Sequence, residues 1–519
     1  MARGRDSGVT AQRTWLAVFL TGGALLRIHG LTDHGLWIDE YGTAWTVAGS
    51  AAECFWRAVA IQGQSPLYYW IAQASTRLVG PGLLGLRLPS LVFGVGLLAF
   101  SFPLALRFYG NHRVALLVVA AFAVNERLIY YSQEARPYAL ALLCAAGSFY
   151  FFASLLSGGG RRARIGYWLT TALTWYAHYL FGVVVLAQGL TVLLQRPRRL
   201  ARLRPWLLTF GALVPLLAPG LLQLLPLFGR RETLDWINTP SGLVAGLTAG
   251  MDLLDPWLLA ALAAALAAAW WRERRFEPLA AGARPGLAFL WLAVPVLVFV
   301  VLAPLLGVRL LHARYLAIAI PAVPLLQGAL MSLPRGGRWL RALPVALFLC
   351  VSLGLRVLPL VERDGGRFWW FVHQDWGAAV AQLVRAHREG DLVLYRTGFV
   401  ELDQLVRGRA SARTTEFVGW PILAHLPTGG SFRLQPLPYR DSAELGGIVA
   451  SVIEHEAPRR VWIVGLDPED PTSETFAGLV AMAQHGPRLR AVGHRNYGVV
   501  HLVLLRPQDP AAPGRGAGS

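Results

Sequence analysis

Long apolar runs separated by arginine-containing loops constrain this chain more than any other feature of its sequence. A helix needs about 20 apolar residues to cross the hydrocarbon core of a bilayer, which is about 30 Å thick. Segments that reach or approach this length lie at residues 15–31, 88–106, 114–131, 138–156, 165–177, 179–194, 206–228, 256–271, 287–306, 315–333 and 339–360. They predict an α-helical polytopic membrane protein with about 11 transmembrane helices. Because only 15% of the 519 residues are charged and 55% are hydrophobic, a simple soluble enzyme is excluded.

The charge of the chain is sorted between alternating connections. The formal net charge is +18, and none of the 48 basic residues is lysine. Arginine-rich connections alternate with connections in which carboxylates and histidines concentrate, and arginine-rich loops stay on the cytoplasmic side of a membrane. We therefore predict a multi-pass protein of the cell membrane with a cytoplasmic N-terminus and an extracytoplasmic C-terminal region. The same distribution indicates membrane orientation and no nucleic-acid partner.

Two segments decide this topology. Residues 66–79 are apolar, but a helix of that length spans roughly 21 Å, which is too short to cross comfortably. We interpret them as an interfacial or re-entrant helix within the first outer loop, at about residues 30–87. Residues 165–194 would form one helix about 45 Å long, which is too long for one crossing. Arginine clusters at both ends favour two crossings with a tight outer turn at His178.

The composition changes after residue 360. Apolar runs become short enough for strands at residues 391–395, 460–466 and 499–505, and helical spacing appears at residues 376–387, 442–455 and 476–485. We predict a transmembrane domain at residues 1–360, an extracytoplasmic α/β domain at residues 361–506, and a disordered tail at residues 507–519.

Carboxylates in the predicted outer connections are costly unless they are paired, hydrated or used. In the first outer connection, Asp39 and Glu40 follow Trp37. One interpretation is structural, with Asp39 as a helix N-cap and Glu40 in the first turn. The other is catalytic, because a carboxylate at the membrane surface can remove a proton from an incoming hydroxyl group.

Further outer connections carry candidate binding residues, each with a structural alternative. Glu134 and Arg136 form either an interfacial ion pair, worth about 0–1 kcal/mol, or a carboxylate beside a phosphate-binding guanidinium. Arg314 is either an anchor at the membrane surface or a second phosphate ligand. His178 is either a satisfied interfacial histidine or a ligand, and Tyr68 is either an aromatic-belt residue or part of the chemistry.

Several familiar cofactor and catalytic motifs are absent from the sequence. No glycine-rich phosphate loop follows a predicted strand, and neither G-x-S-x-G nor H-E-x-x-H occurs. The cysteines, Cys54, Cys144 and Cys350, lie far apart and suit neither a disulfide framework nor a zinc site. The sequence therefore requires no cofactor and leaves the use of a divalent metal undecided.

Four groups of residues combine into a more specific pattern. They are Leu36-Trp37-Ile38-Asp39-Glu40, Ser65-Pro66-Leu67-Tyr68-Tyr69, the run from Tyr131 through Ser132-Gln133-Glu134-Ala135-Arg136-Pro137-Tyr138 to Leu140, and Arg314-Tyr315 followed by Pro321. Together they resemble the bacterial members of glycosyltransferase family 39. These GT-C-fold membrane enzymes are similar to the protein O-mannosyltransferases and the lipid A aminoarabinose transferases. The resemblance covers roughly residues 12–335 and extends loosely into the C-terminal region.

The resemblance implies transfer of a sugar from a polyprenyl-phosphate-linked donor to an acceptor hydroxyl. The acceptor is a lipid, a glycan or a protein, and the transfer takes place outside the cytoplasm with inversion at the anomeric carbon. By position, Asp39 matches the catalytic acidic residue, with Glu40 beside it. Glu134 and Arg136 match the second acidic–basic motif, with Glu134 orienting or assisting the base. Arg314 matches the basic residue expected near the donor phosphate.

Substrate contacts and a metal site are less firmly placed. We assign substrate contacts to Tyr68, Tyr138, His178 and Tyr315. Many relatives have His-Pro-Pro-Leu where this chain has Gln64-Ser65-Pro66-Leu67, so no metal or phosphate role transfers to that position. Glu40, His34 and His178 are candidate metal ligands whose mutual distances the sequence does not give.

Two alternative functions come from other classes of protein. A polytopic lipid or solute transporter fits the number of helices, but transporters usually bind their substrate near the bilayer midplane and often contain inverted repeats. The sequence shows no internal repeat, and its polar residues gather at one predicted surface. A membrane-anchored protein whose outer domain binds an envelope polymer is also compatible with the pattern.

Overall fold

The computed structural model describes residues 2–195, 200–229, 279, 282–302, 305, 307, 312, 314–333, 338–358, 374–406, 411–427, 431–439, 445–456, 458–467, 475–485 and 489–507. The contacts divide the chain into two units. The N-terminal unit comprises Met1–Leu31 and Thr46–Arg367, and the C-terminal unit comprises Thr32–Trp45 and Phe368–Ser519. The predicted span at residues 256–271 and residues 508–519 of the predicted tail lie outside the described residues.

Helices make up nearly all of the described chain up to residue 358. In order they are α1 (Ala2–Ile28), α2 (Ile38–Val47), α3 (Ala51–Trp56), α4 (Leu67–Val79), α5 (Leu83–Tyr109), α6 (His112–Ala123), α7 (Glu126–Gln133), α8 (Tyr138–Leu156), α9 (Arg161–Ala177), α10 (Val184–Leu194), α11 (Leu200–Gly211), α12 (Leu213–Gly229), α13 (Pro285–Leu297), α14 (Ala322–Ser332) and α15 (Arg338–Ser352). Short π-helical turns extend α3, α13 and α15, and 3₁₀ turns precede α10 and α14. Because α9 ends at Ala177 and helical structure resumes at Tyr179, the helix is interrupted at His178.

Some of these helices are long and apolar enough to cross a bilayer. Within the described residues, α5 and α8 qualify alone, and two bent pairs qualify when each is taken as one span. The pair α6 and α7 is bent by 57°, and the pair α11 and α12 is bent by 41°. Asn125 accounts for the first bend, since its side chain accepts a hydrogen bond from the amide of Leu128 and so starts a new helix. The count of about 11 crossings stays a prediction.

A buried arginine ties α1 to the end of α6. Arg27 is only 1% exposed, although it carries a guanidinium group. Its Nη2 donates to the carbonyl of Phe122 over 2.9 Å, and its Nη1 donates to the carbonyl of Gly23 over 2.8 Å. The carbonyl of Phe122 is among the last of α6, and such carbonyls have no partner within the helix and carry partial negative charge. They therefore satisfy a cation that burial alone would exclude.

The C-terminal unit contains a five-stranded sheet with helices packed on it. The strands are β1 (Leu392–Arg396), β2 (Arg433–Pro436), β3 (Val461–Gly465), β4 (Leu489–Tyr497) and β5 (Val500–Pro507), and the helices are α16 (Trp376–Ala386), α17 (Leu402–Val406), α18 (Ala412–Leu423), α19 (Leu445–Glu456) and α20 (Phe476–His485). The order of strands is β2-β1-β3-β5-β4. β1 is parallel to β2 and β3, whereas β5 is antiparallel to both β3 and β4. The predicted α/β character of this region is confirmed.

A buried ion pair closes one end of the sheet. Asp391, just before β1, accepts hydrogen bonds from Arg460 Nε at 2.9 Å, Arg460 Nη2 at 2.6 Å and Trp462 Nε1 at 2.9 Å. The amide of Arg388 also donates to this carboxylate over 2.9 Å. Burial pushes the pKa of Asp391 upward, but these hydrogen bonds and the charge of Arg460 outweigh it and hold the pKa below its ordinary value.

Thr32–Trp45, although it lies early in the sequence, belongs to the C-terminal unit. The ring centroids of Trp45 and Phe417 are 5.1 Å apart. A Cβ added to Gly398 would lie 3.9 Å from Ile38 Cγ1 and 3.3 Å from Leu466 Cδ1. This segment therefore packs on the loop that follows β1 and on α18. The sequence did not predict that the beginning of the first outer loop packs there.

Candidate active site

The Glu134–Arg136 motif lies in the tight connection between α7 and α8. α7 ends at Gln133, and Glu134 takes an extended conformation. The amide of Arg136 donates to the carbonyl of Glu134 over 2.7 Å, which closes a three-residue turn. Pro137 then starts α8, since a helix start does not need the missing amide proton and suits the fixed φ of proline. Both side chains are buried, with 4% of Glu134 and 7% of Arg136 exposed.

Hydrogen bonds from neighbouring helices hold this connection in place. The hydroxyl groups of Tyr68 and Ser90 are 2.8 Å apart, and Ser90 donates to the carbonyl of Arg136 over 3.2 Å. Arg136 Nη1 lies 3.4 Å from Gln62 Oε1. Tyr68 was predicted to contact substrate, and in this structure its buried hydroxyl supports the backbone of Arg136.

His178 lies at the break between α9 and the next helical turn, beside the same motif. It is 6% exposed, and its ring stacks on Phe181 with centroids 4.5 Å apart. The ring of Tyr138, the first residue of α8, lies 5.4 Å away. Burial, together with the charges of Arg136 and Arg314, lowers the pKa of His178 to about 3. His178 is therefore neutral at pH 7, and among the described residues its Nδ1 has no hydrogen-bond partner.

Arg314 and Tyr315 approach this cluster from the segment before α14. The ring of Tyr315 lies 6.3 Å from His178 and 5.9 Å from His312, centroid to centroid. The amide of Arg314 donates to His312 Nδ1 over 3.3 Å. The charges of Arg136 and Arg314 both lower the pKa of His178, so both guanidinium groups lie within electrostatic range of its ring. The structure thus brings together six residues predicted from the sequence: Glu134, Arg136, Tyr138, His178, Arg314 and Tyr315.

His312 was not assigned a role from the sequence. One feature of the sequence could have indicated it: His312 lies two residues before Arg314, so its ring can accept a hydrogen bond from the amide of Arg314. Burial, with the charge of Arg314, holds the pKa of His312 well below its ordinary value. The cluster therefore combines two permanent cations with two neutral imidazoles, which is an arrangement suited to binding an anion.

Asp39 and Glu40 lie in the first turn of α2, within the C-terminal unit. The amide of Tyr41 donates to the carbonyl of Trp37 over 3.0 Å, so the N-cap position falls on Trp37 and the interpretation of Asp39 as N-cap is wrong. Both carboxylates still face the favourable end of the helix dipole. Glu40 is 1% exposed, and its Oε2 lies 3.4 Å from the amide of Trp37, whereas Asp39 is half-buried.

The candidate metal ligands do not form a metal site in the part of the chain that the structure describes. No group of three or more histidine, cysteine, aspartate or glutamate side chains there could hold a metal ion. His34 and Glu40 belong to the C-terminal unit, and His178 belongs to the N-terminal unit.

A family model matches the central part of the chain. Residues 63–221 match the model described as dolichyl-phosphate-mannose-protein mannosyltransferase. The matched segment contains Tyr68, Glu134, Arg136, Tyr138 and His178. No curated protein matches the chain in a sequence search.

Solved structures resemble the chain over nearly its whole length. The crystal structure of ArnT from Cupriavidus metallidurans bound to undecaprenyl phosphate matches with a TM-score of 0.57 and 13% identity, over 97% of this chain and 99% of that chain. The apo structure of the same ArnT matches with a TM-score of 0.55 and 13% identity, over 95% of this chain and 98% of that chain. The chain therefore shares the helical fold of these ArnT structures. Together with the family-model match, this confirms the predicted resemblance to the GT-C membrane glycosyltransferases.

Proposed function

We propose that this protein transfers a sugar from a polyprenyl-phosphate-linked donor to an acceptor hydroxyl at the extracytoplasmic face of the membrane, with inversion. The observation that carries the proposal is the cationic cluster around the buried His178, most of which falls inside the segment that matches the mannosyltransferase model. The likeness to an ArnT structure with bound undecaprenyl phosphate supports the same class of donor.

We assign binding of the donor phosphate to Arg136 and Arg314. In the transition state the bond between the anomeric carbon and a phosphate oxygen breaks, and negative charge builds on the departing polyprenyl phosphate. Cations already fixed in a buried site stabilise this charge far better than mobile groups in water do. Neutral His178 adds a hydrogen bond from a ring nitrogen, and Tyr138 and Tyr315 contact the sugar or the phosphate.

We assign deprotonation of the acceptor hydroxyl to Asp39. Its carboxylate takes the proton of the acceptor hydroxyl as the oxygen bonds to the anomeric carbon, which contributes about 10²–10⁴-fold to such reactions. Glu40, buried in the same helical turn, orients Asp39. Glu134 orients or assists the base. Such a reaction needs no nucleotide-binding fold, because the lipid phosphate is already the leaving group.

The test of function is transfer of a radiolabelled sugar from a polyprenyl-phosphate donor by the purified full chain. We expect Asp39→Asn to lower kcat at least about 100-fold, because an amide cannot accept the proton. Asp33→Asn is the matched control, since Asp33 is an exposed carboxylate of the same segment. Normal transfer by folded Asp39→Asn would refute the assignment of the base, and no transfer by the wild type from any such donor would refute the function.

The proposed orientation is tested separately. A reporter enzyme that is active only outside the cytoplasm, fused after Gly366, should be active. The same reporter fused after Leu194, before the arginine-rich connection, should be inactive. The opposite pair of results would reverse the predicted topology and move the C-terminal unit to the cytoplasm.

A further inference from the structure

We infer that the C-terminal unit positions the helix that carries Asp39, and that His425 is the positioning residue through which it does so. The inference rests on the proposed function, because Asp39 is the proposed base. It assigns a role to the C-terminal α/β unit, which neither the family model at residues 63–221 nor any motif of the sequence explains.

The first argument is the place on the sheet where α2 begins. In open α/β sheets, ligands bind at the carboxyl ends of the parallel strands, where the strand order reverses. In the order β2-β1-β3 this point lies between β1 and β3. Gly398 and Leu466 follow these two strands, and a Cβ added to Gly398 would lie 3.9 Å from Ile38 Cγ1 and 3.3 Å from Leu466 Cδ1. The position that binds ligand in such folds is therefore taken by a segment of the same chain.

The second argument is the aromatic contact further along α2. Trp45 is fully buried and packs on Phe417 of α18, with ring centroids 5.1 Å apart. Phe417 in turn lies 4.3 Å from Phe399, centroid to centroid, in the loop that follows β1. The beginning of α2 and the part near its end are thus both held by the C-terminal unit.

The third argument is a hydrogen bond that joins residues 384 positions apart. The hydroxyl of Tyr41 lies 2.7 Å from His425 Nε2, and the two rings meet edge to face. Burial raises the pKa of Tyr41, and the charges of Asp375 and Glu40 raise it further, so the phenol keeps its proton. Burial lowers the pKa of His425 against the opposing effect of Asp375, which favours the neutral ring. In the tautomer with its proton on Nδ1, Nε2 accepts the phenol proton of Tyr41.

His425 is held in turn by its surroundings. It lies two residues after the end of α18, and its amide donates to the carbonyl of Ile422 over 3.0 Å. A Cβ added to Gly377 would lie 3.4 Å from the ring and 3.6 Å from Asp375 Oδ1. Asp375 is itself fixed, because its Oδ1 accepts a hydrogen bond from the amide of Ala378 over 2.9 Å and caps α16.

Through the geometry of the helix, this hydrogen bond also sets the direction of the Asp39 side chain. Successive residues are rotated by about 100° around a helix axis, so residues two apart point about 200° apart. With Tyr41 bound to His425, Asp39 is directed away from α18. Loss of the bond lets the first turn of α2 rotate or fray, and a displacement of about 1 Å can cost up to about 100-fold in rate.

The test uses Tyr41→Phe, His425→Phe and the double variant of the full chain. We expect each single variant to lower kcat about 10-fold with the KM for the donor unchanged, and the double variant to be no slower than either single variant. His425→Gln, which keeps an acceptor, should recover most of the rate. His387→Phe is the matched control, because this histidine of the same unit contacts Phe432 instead of α2.

Amide hydrogen exchange of residues 38–47 is measured on the same variants. We expect faster exchange in Tyr41→Phe and His425→Phe and unchanged exchange in His387→Phe. A wild-type kcat in both single variants, while Asp39→Asn is slowed at least about 100-fold, would overturn the positioning role and leave the proposed function intact. Unchanged exchange in α2 would overturn the anchoring even if the wild type transfers no sugar.

Discussion

The two acidic motifs of this protein are held in place by different means. Glu134 and Arg136 lie in one short connection between consecutive helices, where a three-residue turn and Pro137 set the backbone. Asp39 lies on a helix whose anchor, His425, is far away in the sequence. The backbone of the first motif is thus set by its own turn, with Ser90 and Gln62 as added contacts, whereas the placement of the second depends on long-range packing. This difference leads us to expect that distant substitutions disturb Asp39 much more than Arg136.

The largest effect is expected when the local motif itself is removed. Arg136→Gln should lower kcat/KM for sugar transfer about 100–1000-fold, because one preorganised charge no longer stabilises the departing phosphate. Arg77→Gln is the matched control, since Arg77 is exposed near the end of α4. Near-normal kcat/KM in Arg136→Gln would show that Arg136 is structural, and the phosphate would then have to be assigned elsewhere.

The C-terminal unit is expected to depend strongly on Asp391. Asp391→Asn should lower the free energy of unfolding of this unit by about 3 kcal/mol, because Arg460 is left as a buried, uncompensated cation. Thermal unfolding of the full chain at pH 7 measures the loss. Glu389→Gln, which changes an exposed neighbour, should have little effect.

The stability that Asp391 provides should also depend on pH. Its pKa in the folded protein is lowered, so its contribution is complete above the ordinary pKa of about 4 and is lost as the pH falls through the folded value. The difference in stability between wild type and Asp391→Asn should therefore shrink on acidification below about pH 4. A difference that stays constant to pH 2 would contradict the ion-pair interpretation.

A substitution at Gly398, where α2 packs on the C-terminal unit, should have a smaller and more selective effect. Gly398→Ala should cost about 1–3 kcal/mol, because Gly398 has a φ of +92° and an added Cβ would press on Leu466. Gly447→Ala is the control, since a Cβ there meets no atom within 4 Å. If packing of α2 against Gly398 positions Asp39, the Gly398→Ala variant lowers kcat as well as thermal stability. A normal kcat in a destabilised Gly398→Ala would separate the fold of the unit from the placement of Asp39.

The smallest effect is expected at the scaffold of the local motif. Ser90→Ala removes the hydrogen bond to the carbonyl of Arg136 and leaves Tyr68 without its partner hydroxyl. It should cost about 1 kcal/mol of stability and change the transfer rate only a few-fold. Ser101→Ala, on the same helix, removes a bond only to the preceding turn and serves as the control. A large loss of activity in Ser90→Ala would show that the local turn does not hold Arg136 by itself.

The sequence predicted best those helices and strands whose own residues form a clear apolar pattern. Residues 138–156 were predicted as one helix, and α8 has those bounds because the segment is continuously apolar. Three strands of the C-terminal unit were found within a residue or two, since their runs are short and apolar. β2 and β4 were missed because they lie at the two edges of the sheet, and β4 is exposed along most of its length. An exposed edge strand needs no apolar pattern, so it leaves no such signal.

The sequence by itself determined the polytopic helical character, the break at His178 and the Glu134–Arg136 motif, because apolar length, helix breaks and turns depend on neighbouring residues. Only the tertiary structure gathered Arg314, His178 and Arg136 around one point, since the segments that carry them are far apart in the chain. It alone also placed Asp39 on a helix bound to the C-terminal sheet. Contacts such as Tyr41 with His425 are decided by the folding of the whole chain, and no local pattern encodes them.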